Sequence, residues 1–192
     1  MNQNNKPYIY IKPHKLGLEE KLFFLISGII VSIPITIFFG LFSERIYANI
    51  PLIYAPFVSL VLITPFIEEF AKAYPLFYRY SLSERSLYIL GLLVGFGFGI
   101  TELLIYTLAL GVPFYARVPG LFFHAANTSL VAYGIAKKKA LMFFLLAVFL
   151  HAIYNFFAIF DALILIFIVS LATYLISFLA YIRTTEHYLE PD

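Results

Sequence analysis

The 192-residue chain is 62% hydrophobic and 12% charged, carries a net charge of +2 and contains no cysteine. Roughly 25% charge is usual for a soluble domain, so lipid is the expected solvent for most of this chain. Disulfides, thiol catalysis and cysteine-ligated metal are excluded, and no basic stripe interleaved with aromatics points to nucleic acid.

Residues 1–21 form an N-terminal segment in which Lys12 to Lys21 are compatible with a short interfacial helix. The first uncharged run, Leu22 to Ser43, is long enough to cross a hydrocarbon core of about 30 Å. It exceeds the usual apolar core of a secretory signal and ends FGLFSER, without a small-x-small cleavage pattern, so it reads as a retained first helix. A second run, Ile46 to Ile67, ends in FIEEFAK, where two glutamates and a lysine interrupt apolar sequence. Pro65, one turn ahead of them, would displace the carbonyl of Val61 and bend the helix, a break tolerated where backbone lines a cavity.

A third span runs from Ser86 to about Leu110, interrupted by Glu102, and carries Gly91, Gly95 and Gly99 along one stripe, a seam where another backbone can approach. Val118 to Ala136, Ala140 to Phe160 and Ala162 to Ile182 complete the set, with residues 183–192 as a tail. The expectation is an all-α bundle of about six transmembrane helices in one domain over residues 22–182. With the N-terminus inside, ten lysines and arginines fall on cytoplasmic segments and only Arg45 and Arg117 on the other side, which puts both termini in the cytoplasm. On this reading Arg117 is an interfacial anchor, with contact to substrate the alternative.

The polar residues inside these spans carry the functional argument. Residues four apart share a helix face, so Lys72 can pair with Glu68, and at three residues it also reaches Glu69; it neutralises one carboxylate and leaves the other available. Glu102, His124, His151 and Asn155 interrupt three further spans, and intramembrane ionisable groups are costly and usually face a cavity or one another. At about 1.5 Å per residue, Glu68 and His151 each lie about 17 Å from their cytoplasmic ends, and Glu102 about 24 Å from its own. His124 lies about 9 Å from the outer end, so all four fall between the mid-membrane and the outer half.

Singly, each has a plainer explanation. Glu68, Glu69 and Lys72 could form a structural ion pair, while His124 with Asn127 and Thr128, or His151 with Asn155, could hydrogen-bond a neighbouring helix. Their shared depth favours a common site. Two or three carboxylates, two imidazoles and an amide suit hydrolysis by an activated water, with a carboxylate as base and Asn155 donating to the oxyanion. Two histidines and one glutamate would also leave an open position on a divalent cation such as Zn2+.

EEFAK (Glu68 to Lys72), FGITE (Phe98 to Glu102), His124 and HAIYN (His151 to Asn155) resemble, in order and spacing, the motifs of the PrsW-type intramembrane proteases. These are relatives of the type II CAAX prenyl endopeptidases and bacteriocin-processing proteins. In the CAAX branch the first motif usually ends in arginine one residue later, and histidine stands where this chain has Glu102, so the PrsW branch is the better likeness. The resemblance implies endoproteolysis of a membrane-anchored protein within the bilayer. It makes Glu68 and Glu69 the water-activating or metal-binding pair, with Glu102, His124 and His151 completing the site and Asn155 assisting the oxyanion; Glu69, Glu102, His124 and His151 are the candidate metal ligands. The superfamily has been described both as zinc enzymes and as metal-independent glutamate proteases. A CAAX-type prenyl endopeptidase is the alternative within the same chemistry. Outside it stand a proton- or cation-handling transporter and a catalytically silent relative holding a membrane partner through the glycine seam.

Overall fold

The structure, a computed structural model, describes residues 14–78 and 83–186. Six α-helices and no strand occur among the described residues: α1 Leu18–Asn49, α2 Thr64–Ala73, α3 Glu84–Leu104, α4 Phe114–Ala136, α5 Ala140–Ile159 and α6 Leu163–Tyr181. Four stretches are long and apolar enough to cross a membrane, Leu18–Phe42, Glu84–Ala109, Ala140–Ile159 and Leu163–Tyr181. Helix α2, at ten residues, is too short to count by itself, and α4 falls outside that set because its buried residues include polar ones. α4 packs on α3, α5 and α6, and from Phe123 to Ala136 nearly every residue is buried. A helix surrounded by protein has no need of an apolar surface.

The second span differs from expectation. Pro34 lies inside α1 without ending it, and Glu44 and Arg45 are ordinary helix formers, so α1 continues through them to Asn49. The chain turns at Pro51 to Tyr54 and is then helical from Ala55 to Phe77. The span expected at Ile46 to Ile67 therefore sits about nine residues later, with the glutamates near its middle. Lys12 and Arg79 lie outside the described residues. His14 to Gly17 are not helical and Leu18 to Lys21 belong to α1, so no separate interfacial helix is present among the described residues of that segment.

The bend foreseen at Pro65 takes the form of a change in helix register. Phe57–Ile63 is π-helical, with the Thr64 amide donating to the Ser59 carbonyl, and leads directly into α2. A second π-helical segment, Ile105–Ala109, extends α3 beyond Glu102. Such segments are rare and concentrate at functional sites.

The glycine seam is used internally. A Cβ on Gly91 would strike Ala132, one on Gly95 the carbonyl of His124, and one on Gly99 the backbone of Leu121, so α3 and α4 are in backbone contact along the stripe. The opposite face of α3 does the same against α1 through Gly28 and Gly97. This seam is not free to hold a membrane partner. Its contact with α4 brings Glu102 to the histidine of the neighbouring helix.

Candidate active site

Helix α2 is apolar outside and polar inside. Thr64, Pro65, Glu68, Glu69, Lys72 and Ala73 are buried, a spacing that follows one helical face, while Phe66 and Phe70 are about half exposed on the other. In water this helix would turn the other way; in lipid its charged face must find partners inside the bundle. It finds them on α3, α4 and α5.

Lys72, fully buried, donates to Glu69 Oε1 at 2.5 Å and approaches His124 Nδ1 at 3.0 Å. Its ammonium also lies 4.6 Å from the Phe98 ring centroid. His124 Nε2 lies 2.7 Å from Glu102 Oε2, which also accepts from Arg117 Nη2 at 3.0 Å. On α5, His151 Nδ1 lies 2.8 Å from Glu69 Oε1, and its Nε2 faces Glu68 Oε2 at 3.7 Å. The two imidazole centroids are 5.1 Å apart, each ring 5.7 Å from the centroid of the fully buried Phe123.

Partner chemistry fixes both tautomers. An ammonium only donates, so His124 Nδ1 is an acceptor and its Nε2–H donates to Glu102. A carboxylate only accepts, so His151 Nδ1–H donates to Glu69 and the lone pair on Nε2 is directed at Glu68. The charges can be accounted for in the same way. Lys72 takes Glu69 and Arg117 takes Glu102, which leaves Glu68 without a lysine or arginine partner among the described residues. Its Oε2 is buried and has no hydrogen-bond partner. Of the two carboxylates foreseen to compete for Lys72, Glu69 at i, i+3 holds it and Glu68 is the one available.

Glu68 also faces open space. A cavity of about 290 Å³ is lined by Glu68, Glu102, Tyr106, Arg117, His124 and Tyr154, among others. Val112 and Asp161, from the α3–α4 and α5–α6 connections, also line it, so it reaches the end of the bundle away from the described terminal segments. Glu69, Lys72 and His151 are not part of that lining; they stand behind Glu68 and His124.

The structure thus brings Glu68, Glu69, Glu102, His124 and His151 into one network, with Lys72 bridging its two halves. Asn155 lines the same cavity, but its side-chain amide donates to the backbone carbonyl of Leu60 at 2.8 Å. Asn127 follows the plainer reading weighed for its neighbours, donating across to the Ala147 carbonyl on α5. Arg117, expected to anchor at the interface, is instead largely buried over the Tyr106 ring with its charge on Glu102. Its spacing from His124, seven residues or about two turns, was the available signal that both share a face of α4.

One ligand atom from each of Glu68, His124 and His151 lies within 4.8 Å of the others. The donor set suits a divalent transition metal. The orphaned Glu68 oxygen and the free lone pair of His151 both favour it, and Glu69 on His151 Nδ1 is the outer carboxylate that metal-bound histidines commonly have. His124 is held on both nitrogens and would give up one present partner to join. Glu69 and Glu102, named as ligands from sequence, are occupied by Lys72 and Arg117.

The sequence model of the PrsW family intramembrane metalloproteases matches residues 20–182. No curated protein matches the chain, and no solved structure matches it.

Proposed function

The chain belongs to the PrsW family of intramembrane metalloproteases, and from that premise we propose that it hydrolyses a peptide bond of a membrane-anchored protein at the cavity beside Glu68. Family and helices together make it an integral membrane peptidase. The observation that carries the finer reading is Glu68, the carboxylate of the network without a lysine or arginine partner among the described residues, with an orphaned oxygen and a wall of the cavity.

In this reading Glu68 accepts a proton from a water in the cavity as that water's oxygen attacks the scissile carbonyl. The same proton is then delivered to the leaving nitrogen as the C–N bond breaks. Glu69 holds His151 with Nε2 toward Glu68, and Arg117 with Glu102 fixes His124 from the cavity side. Were Zn2+ held by Glu68, His151 and His124, it would lower the proton affinity of a bound water and polarise the carbonyl, and Glu68 would then serve as a ligand in place of the base. Arg117 and Lys72 keep the network near neutrality when Glu68 is compensated, which limits the cost of burying three carboxylates.

The excess of lysine and arginine on the loops at the terminal end favours cytoplasmic termini. The cavity then opens toward the opposite leaflet, and the substrate is cut near that face.

Metal dependence is tested by measuring thermal stability of the purified protein in detergent as Zn2+ is added after chelation. A ligand at about 100 times its Kd stabilises by about 2.7 kcal/mol, so the wild type should gain several degrees while Glu68→Gln and His151→Ala gain little. Equal gains in all three proteins would contradict Glu68 and His151 as ligands.

A further inference from the structure

The contact between Asn155 and Leu60 has a specific cause in the sequence. In an α-helical register the Leu60 carbonyl would accept from the amide of residue 64, but the Thr64 amide is given to Ser59. In the π register that replaces it, the donor would be residue 65, which is Pro65 and has no N–H. Both backbone donors are therefore removed from one carbonyl, two turns ahead of Glu68. A main-chain carbonyl left without a donor inside a membrane-spanning helix is costly, and the side-chain amide of Asn155 supplies one at 2.8 Å.

We propose that Asn155 is a positioning residue, which holds the π-helical entry to α2 and through it the direction in which Glu68 and Glu69 enter the site. The assignment rests on the protease reading only for its effect on rate; the effect on the helix stands without it. It also differs from the oxyanion role expected from the motif. Asn155 and His151 lie one turn apart on α5, so the same helix that presents His151 to Glu69 also fastens the helix that carries Glu69. The elements α5 and the π segment are in direct contact, as this requires. His151 and Asn155 thereby set the relative placement of α2 and α5 from two points.

The inference makes a prediction that an oxyanion donor does not share. Replacing Pro65 by alanine restores an N–H at the position from which the π register can reach Leu60. Asn155→Ala should slow cleavage by about 10- to 100-fold, the usual cost of losing an outer positioning contact. Pro65→Ala combined with Asn155→Ala should recover most of that loss. The probe is a single-span membrane protein reconstituted in the same liposomes, chosen as one in which the wild type creates a new N-terminus. An amide needed at the oxyanion would leave the double variant as slow as Asn155→Ala while Pro65→Ala alone stays active, and that result would overturn the proposal.

Hydrogen–deuterium exchange provides an arm independent of catalysis. In full-length Asn155→Ala, peptides covering residues 57–69 should exchange faster than in the wild type, and Pro65→Ala should restore protection. Unchanged exchange in Asn155→Ala would likewise overturn it, whether or not Pro65→Ala is active. Faster exchange together with no cleavage by the wild type would leave the positioning role standing and remove the protease reading instead.

Discussion

Two buried or half-buried polar clusters lie at different depths in this bundle, one at its terminal end and one around Glu68, and they are built differently. At the terminal end Glu84 accepts from Lys137 through both carboxylate oxygens, and from the amide and hydroxyl of Thr185. Arg85 beside it donates to Thr184 and pairs with Glu186. No side-chain atom of that cluster is buried without a partner. Around Glu68 the opposite holds: Glu68 Oε2, Glu69 Oε2, Thr64 Oγ1 and Arg117 Nε are all buried without a hydrogen bond. A cluster that only fastens helices satisfies its atoms, whereas one that must receive water, an ion or a peptide keeps capacity in reserve.

The contrast is broken most severely at Glu68. Glu68→Gln keeps size and hydrogen bonding but removes the base, so cleavage should fall by about 10²- to 10⁴-fold while thermal stability in detergent is unchanged or higher. A variant that cuts at the wild-type rate would place Glu68 with the structural residues. Glu69→Gln acts by another route, because it strands Lys72. Removing one partner of a buried pair costs about 3–5 kcal/mol, to be read as a large drop in melting temperature. Glu69→Gln with Lys72→Met should recover stability but not cleavage, since His151 and His124 have each lost a fixed partner.

A smaller effect is expected at the seam. Gly95→Ala sets a methyl group against the His124 carbonyl, and overpacking of this kind costs about 1–3 kcal/mol. Because the displaced carbonyl belongs to His124 itself, cleavage should drop further than in Gly40→Ala, where a Cβ meets nothing within 4 Å. Similar melting temperatures and rates for the two variants would show that α3 and α4 can separate without disturbing the site. The smallest change should come from the terminal cluster: Lys137→Ala removes a partly exposed ion pair worth about 0–1 kcal/mol. Cleavage measured beside it should be unaltered, and a marked loss would mean the two clusters are coupled.

Much of this was legible in the sequence because lipid simplifies the problem. Apolar runs located five of the six spans to within a few residues, and the cost of burying Glu68, Glu102, His124 and His151 was sufficient reason to expect them together. The displaced second span marks the limit of that reasoning. An uncharged run says where lipid is tolerated and not where the chain turns, and α1 simply continued through Ser43, Glu44 and Arg45. The pairing of Lys72 was likewise open, since i, i+3 and i, i+4 are both within reach; the choice of Glu69 depends on His124 from α4 and His151 from α5 closing around it. Arg117 was misjudged for the related reason that a charge near a span end looks interfacial until Glu102 and Tyr106 of the preceding helix are placed against it. Asn155 was recognised as a polar member of the site, but its partner is a main-chain carbonyl freed by a register change, which no side-chain pattern announces.

The central claim is that Glu68 makes water reactive inside the bundle. Wild type and Glu68→Gln, each reconstituted with a single-span substrate in H2¹⁸O, test it when the new C-terminus is read by mass spectrometry. The wild type should place one ¹⁸O in the carboxylate at the cut, and Glu68→Gln should leave the substrate intact over the same period. Cleavage without ¹⁸O, or equal labelled product from both proteins, would contradict it.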